Sequence, residues 1–421
     1  MPTTTLKQNP NRAIVVGVGL KTESMQEIKE SLAELEELTY SAGGVVVACL
    51  TQVLEKFIPA TLLGSGKVQE IKQISEEQSA DLVVIDHQLS GVQTRNLEQE
   101  LGIRVLDRSQ LILDIFALRA QTYEGKLQVE LAQLLDQKPR MVGGWLGSLS
   151  RLGGGIGTRG PGETALEIDR RTIRTRIDTI KKKLEQVKSH RRQQRQQRQK
   201  SQHPSFALIG YTNAGKSTIL NALAHADVTV KDQVFATLDP TTRKVFLDEM
   251  GLATLTDTVG FIRKLPTHLI ESFKATLEES GTADILLFVI DLSNPQMNQH
   301  MQVVESLIEE FGWGQKPIIY VFNKFDVAPP QKQFQVNKYP RVFVSAKTGE
   351  NLDKLKLQMI DQVNQLKEEV NLFFNKTEEF RIFDLTREAP ILYKETGSTG
   401  TLCRVKLTKQ QLSEWKNYLQ N

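Results

Sequence analysis

Gly210, Tyr211, Thr212, Asn213, Ala214, Gly215, Lys216 and Ser217 match the pattern G-x-x-x-x-G-K-[ST]. Its glycines let successive backbone N–H groups turn into one concavity at the start of a helix, where they can hold phosphate oxygens. The run SFALIG before it is strand-like and STILNALA after it is helix-like, the context that the loop requires. Lys216 supplies a mobile positive charge for the β and γ phosphates. The Ser217 hydroxyl is a hard oxygen donor suited to Mg²⁺. Three further runs follow in order: Asp257, Thr258, Val259, Gly260; then Asn323, Lys324, Phe325, Asp326; then Ser345, Ala346, Lys347.

The phosphate loop does not choose between ATP and GTP, but the third run does. The Asp326 carboxylate can accept from both the guanine N1–H and its exocyclic amine, while Asn323 ties the loops together and the Lys324 stem covers the base. Adenine offers no such donor pair and would leave Asp326 unpaired. The Ser345–Lys347 run adds a backbone N–H near guanine O6. Asp257 is expected to hold the Mg²⁺ shell through water, and the Gly260 N–H to approach the γ phosphate because glycine has no obstructing side chain. In VFATLDPTTR a threonine is expected to close over Mg²⁺ and the γ phosphate. Thr237 is preferred to Thr241 or Thr242, giving Ser217 and Thr237 as the metal ligands and Lys216, Thr237 and Gly260 as the catalytic set. Phe261 occupies the position where many GTPases carry a water-orienting glutamine, so hydrolysis by the chain alone is expected to be slow and dependent on a partner.

These loops need a parallel sheet with helices on both faces. FALIG, ATLTDT, DILLFVID, PIIYVFN and RVFVSA are its strands. The expected organisation is a multidomain α/β chain: a small α/β subdomain over 1–120, a long helical hairpin over 121–203 with a glycine-rich tip, a P-loop domain with a mostly parallel, doubly wound sheet over 204–368, and a small α+β appendage over 369–421. In the first, AIVVGVGL, GGVVVACL and DLVVIDHQ read as strands, and Leu32, Leu35 and Leu38 as one helix face. Asp107 to Lys138 reads as helical, ended by Pro139. In the appendage EFRIFD and TLCRVKL read as short strands.

At 421 residues the chain exceeds one ordinary core. No apolar run approaches the roughly 20 residues that a membrane span needs, and the N-terminus lacks a secretory signal. Cys49 and Cys403, far apart in sequence, suggest no disulfide. A cytosolic protein is the economical reading, with a peripheral membrane position left open and a monomer expected. The net charge of +3 hides a local asymmetry. From Arg170 to Lys200 basic residues far outnumber Asp178 and Glu185, beside a glycine-dense stretch from Gly143 to Glu163 that with its flank carries Arg140, Arg151 and Arg159. Charge and placement favour contact with an RNA backbone over a merely solvated face, with Trp145 available to stack on a base. Gly155 to Gly160 spells G-x-G-x-x-G, but no strand precedes it, so it is rejected as a dinucleotide site. LLGSGK, Leu62 to Lys67, reads as a turn into a helix; a second, weaker nucleotide site there stays open.

RLGGGIGTRGPGETALEIDRR from Arg151 to Arg171, with FATLDPTTR and DTVGFIRKLP, resembles the HflX GTPases of the translation-factor-related class, and the resemblance spans nearly the whole chain. It implies a Mg²⁺-dependent GTPase that binds the large ribosomal subunit and its rRNA through the glycine-rich tip and basic hairpin. It also implies turnover stimulated by ribosomes and the splitting or rescue of stalled ribosomes under stress. Backbone contacts to nucleotide from Phe235, Ala236, Thr237, Leu238 and Asp239 come from the resemblance alone. Ala165 departs from a position that is commonly basic, and the C-terminal appendage is not general in the family. ATP use and RNA unwinding are reported for some members, and nothing in this sequence argues for either. Two other readings stay open: a GTP-gated protein adaptor in stress signalling or membrane protein quality control, and a ribosome assembly factor.

Overall fold

The computed structural model describes residues 10–140, 165–199, 203–224, 234–235, 237–266, 269, 272 and 280–420. The chain forms two compact units, Met1–Lys188 with Lys231–Asp239 and Ile262–Leu277, and Ser189–Val230 with Pro240–Phe261 and Glu278–Asn421. Among the described residues no helix is long and apolar enough to cross a membrane.

In the first unit, β1 (Arg12–Leu20), β2 (Val45–Leu54), β3 (Leu82–Ile85) and β4 (Arg104–Asp107) form a parallel sheet in the order β2-β1-β3-β4. Strand β1 is a continuous apolar run because both its faces are covered. Helices α1 (Met25–Ser41), α2 (Ser65–Glu77), α3 (Gly91–Leu101) and α4 (Arg108–Arg119) alternate with the strands. Ile14, Val16, Ile71, Val83 and Ile85 lie in the core between them. Gly64 is the N-cap of α2, so LLGSGK is a turn into a helix. Asp107 caps α4, accepting from the Gln110 N–H at 2.9 Å.

The long helical reading from Asp107 divides at residues 120–122 into α4 and α5 (Tyr123–Arg140). Pro139 does not end the helix but lies inside its last turn. Leu127 and Leu131 of α5 pack on Ile177 and Ile180 of α6 (Ala165–Gln199), giving the expected αα pair. Arg170, Arg171, Arg174, Arg176, Lys181 and Lys182 of α6 are exposed. The glycine-rich stretch, including Trp145, Arg151, Arg159 and Gly155–Gly160, lies outside the described residues, as does Ala236.

The second unit contains a six-stranded sheet in the order β10-β9-β8-β5-β7-β6. Its strands are β5 (Ser205–Gly210), β6 (Thr241–Leu247), β7 (Gly251–Asp257), β8 (Ile285–Asp291), β9 (Ile318–Asn323) and β10 (Arg341–Phe343). All pairs are parallel except β6 with β7. Helices α7 (Lys216–Leu223), α8 (Met297–Glu310) and α9 (Leu352–Gln365) follow β5, β8 and β10. Strand β6 was not anticipated; it takes up Thr241 and Thr242, and the Thr242 hydroxyl lies 2.9 Å from that of Thr256.

The C-terminal segment forms an antiparallel sheet, β11 (Glu368–Asn375), β13 (Gly400–Leu407) and β12 (Ile391–Thr396), with α10 (Arg381–Glu388) and α11 (Lys409–Trp415). The expected strand EFRIFD is instead helical. Ile382 and Leu385, three residues apart, enter the core with Phe374, Val405 and Trp415, whereas Phe380 and Phe383 are exposed. The string ends before Leu385, so the three-residue spacing of the buried pair is not visible within it.

Candidate nucleotide site

The phosphate loop joins the end of β5 to the start of α7 at Lys216. Its turn demands left-handed backbone at Asn213 (φ 60°) and Gly215 (φ 92°). A Cβ on Gly215 would lie 2.2 Å from the Asn323 Nδ2, so that position is closed to side chains on two counts. Lys216 is 6% exposed, and its Nζ donates to the carbonyls of Gly210 and Tyr211 at 3.1 and 2.8 Å. Burial pulls its ammonium down to about 8, with the Asp257 carboxylate opposing.

Asp257 ends β7 beside the loop, and its Oδ2 accepts from the Ser217 hydroxyl at 2.5 Å. Thr258 is fully buried and its hydroxyl donates to the Leu208 carbonyl at 2.7 Å, which leaves only its backbone for a ligand. Val259 is buried. A Cβ on Gly260 would come within 2.9 Å of the Lys216 Nζ, so glycine there is steric as well as functional. Phe261 is buried, and its N–H donates to the Gly210 carbonyl at 3.1 Å while its carbonyl accepts from the Thr212 N–H at 2.8 Å. The residue in the glutamine's place thus staples the phosphate loop through its backbone.

Asn323, at the end of β9, joins the remaining loops. Its Nδ2 donates to the Ala214 carbonyl at 2.8 Å and its Oδ1 accepts from the Ala346 N–H at 3.0 Å. One buried side chain therefore ties the phosphate loop to the Ser345–Lys347 run. Lys324 has φ 60°, and its Nζ pairs with Asp291 at 2.8 Å. Asp291 was missed by sequence reasoning, although an acidic residue ending β8 beside a parallel β9 was the available signal. The Phe325 N–H donates to the Val344 carbonyl at 3.1 Å, and the Asp326 side chain that follows is exposed. Ser345 is buried and accepts from the Thr348 N–H at 3.2 Å, whereas Lys347 is exposed.

Phe235, Thr237, Leu238 and Asp239 belong to the first unit. Phe235 (φ 55°) meets Phe116 edge to face, with centroids 4.6 Å apart. Leu238 is buried and Thr237 half-buried. The Asp239 carboxylate accepts from the N–H groups of Gln121 and Thr122, both at 3.0 Å, and from the Thr122 hydroxyl. Within that unit, Asp239 lies at the start of α5.

A lysine in a glycine loop, a hydroxyl beside a carboxylate, and base-side loops joined through one asparagine can hold a purine nucleoside polyphosphate. Family models described as GTP-binding GTPase N-terminal, GTP-binding GTPase Middle Region and 50S ribosome-binding GTPase match residues 29–117, 119–198 and 205–324. The GTPase HflX of Caldanaerobacter subterraneus subsp. tengcongensis is 45% identical over 98% of this chain and 95% of its own length. The chain belongs to the GTPase HflX family. It is a GTP-hydrolysing enzyme. The HflX of Lacrimispora saccharolytica is 53% identical over 83% of this chain and 82% of its own, and that of Escherichia coli 46% identical over 77% of each. Among solved structures, a GTP-binding protein from the archaeon Sulfolobus solfataricus in complex with GDP aligns with a TM-score of 0.46 and 24% identity, covering 85% of this chain and 99% of that one.

Proposed function

We propose that this HflX GTPase binds GTP with Mg²⁺, engages the large ribosomal subunit, and separates ribosomal subunits when GTP orders the segments around Thr237 and Gly260. Asn323 carries the nucleotide half of this reading, because its two hydrogen bonds hold the phosphate loop and a base-side loop in one frame. The Ser217 hydroxyl and Asp257 carboxylate are adjacent hard oxygen donors and fit Mg²⁺; Thr237 would supply a further oxygen. The ion would neutralise charge on the β and γ phosphates. Lys216 binds the same phosphates, and the Gly260 N–H orients the terminal one. Asp326 selects guanine, with Lys324 alongside the base. Phe261 has no group to orient water, which supports stimulation of turnover by a partner.

The ribosomal half rests on the description of the matched family model and on the exposed basic face of α6. GTP turnover measured with and without large subunits tests it, in wild type and in a variant carrying Arg171→Glu, Arg174→Glu and Lys182→Glu. The subunit should stimulate wild type. The variant should keep its basal turnover, lose most of the stimulation, and show a salt dependence shallower by roughly 0.7–0.9 in log–log slope per lost phosphate contact. Turnover indifferent to the subunit in wild type would overturn the ribosomal reading in favour of a protein adaptor.

Lys216 gives a pH dependence. Its charged form binds phosphate, and with its value at about 8 the free protein loses that charge as pH rises. Bound phosphate restores the proton, so binding takes up a proton above that point. The Kd for GTP is expected to change little just below about pH 8, where the terminal phosphate is fully charged, and to weaken toward tenfold per unit above it, by the linkage between charge state and binding. Fluorescence titration across that range checks it; a Kd unchanged at high pH would show that the free protein keeps Lys216 charged, and the loss of binding in Lys216→Ala then measures its part in holding phosphate.

A further inference from the structure

We propose that His300 is a positioning residue for the phosphate loop, acting through Tyr211. The His300 imidazole lies flat against the Tyr211 phenol, with ring centroids 3.7 Å apart and planes 4° apart. Nothing in the phosphate-loop pattern requires an aromatic at its second position or a histidine on a later helix.

Three parts of the site meet at the Tyr211 main chain. Its carbonyl accepts from the Lys216 Nζ at 2.8 Å and from the Ala214 N–H at 3.3 Å. Tyr211 is also bridged to Phe261 through the hydrogen bonds of its two neighbours, Gly210 and Thr212. Its side chain is withdrawn from solvent, the residue being only 6% exposed, and its ring lies on that of His300. Whatever fixes the phenol thus fixes the carbonyl that aims Lys216, and with it the backbone staple to Phe261.

His300 is suited to that task by its place on α8. It is three residues after Met297 and four before Val304, both buried, so it shares a helix face with residues anchored in the core. A stack borne on a packed helix transfers the helix's rigidity to a loop that must otherwise hold Asn213 and Gly215 in left-handed backbone. The inference rests on the nucleotide reading of the Gly210–Ser217 loop.

The test compares His300→Ala and His300→Phe with wild type and with Lys216→Ala. Affinity is read with a methylanthraniloyl-labelled GTP, alongside steady-state KM and kcat and the melting temperature. His300→Ala should weaken affinity and raise KM roughly 2- to 12-fold, the range expected for loss of one aromatic pair. Its kcat should stay close to wild type and its melting temperature should fall by no more than the few degrees that loss of the stack accounts for, and His300→Phe should restore affinity by restoring the stack. Wild-type affinity in His300→Ala while Lys216→Ala loses binding would overturn the role of His300 alone. Loss of affinity in both His300 variants in step with a lowered melting temperature would reduce the histidine to packing. Unimpaired binding in Lys216→Ala would overturn the reading of the loop itself.

Discussion

Asp326→Asn is expected to weaken GTP binding about 30- to 1,000-fold and to improve binding of xanthosine triphosphate. The carboxylate accepts from two guanine donors in the proposed mode. Asparagine keeps one acceptor and turns an amide N–H₂ toward the exocyclic amine, so a hydrogen bond becomes a donor facing a donor. A hydrogen bond to a charged group contributes about 1.5–3 kcal/mol. Two such bonds at an exposed carboxylate, discounted for solvent screening, give roughly 2–4 kcal/mol. Xanthine carries a carbonyl where guanine has the amine, so the same amide gains a partner there. The scaffold should be undisturbed, because the Phe325 N–H to Val344 and the two bonds of Asn323 hold the loop independently of the Asp326 side chain. Competition of labelled GTP by GTP, ATP and xanthosine triphosphate measures this directly. A variant that keeps wild-type preference for GTP would show that another group reads the base.

The parts of the site legible in the sequence are those whose chemistry needs contiguous residues. A phosphate loop must have its glycines, lysine and hydroxyl within one turn, and the link through Asn323 follows from placing its motif after a buried strand. Less legible were contacts between residues remote in sequence. Asp239 reads as part of a nucleotide-contacting run, yet its carboxylate lies on residues more than a hundred positions earlier, Gln121 and Thr122. No local pattern encodes that pairing. His300 likewise sits in an ordinary amphipathic helix, and only the folded chain lays it on Tyr211.

Secondary structure is ambiguous where a short string holds few of the residues that bury. Glu379–Asp384 reads as a strand by itself, but Ile382 packs with Leu385, just beyond it, on one face of a helix. Strand β6 is hard to read because Thr241 and Thr242 fit both a metal-ligand run and the start of a β-branched edge strand. Helix α3 and strand β4 leave little trace in the sequence, because neither carries a long apolar run.

Arg108 shows the same limit in energetic terms and carries the largest expected effect on stability. As the first residue of α4 it looks like an ordinary exposed arginine, but its side chain is 3% exposed. It pairs with Asp86 at 2.8 Å and with Glu34, and it donates to the Arg263 carbonyl at 3.2 Å. Burial works against its charge, yet the two carboxylates outweigh that and hold it above its ordinary value. Lys264 also reaches Asp86, at 2.8 Å. Arg108→Ala would leave Asp86 and Glu34 buried with far less compensation, and breaking such a group from one side costs about 3–5 kcal/mol. Urea unfolding followed by circular dichroism should show a loss of that size in the transition of the first unit. Combining Arg108→Met with Asp86→Asn and Glu34→Gln should recover much of it, because the charges are then removed together rather than stranded. Equal losses in the single and triple variants would mean that packing around the guanidinium, not the stranded carboxylates, sets the cost.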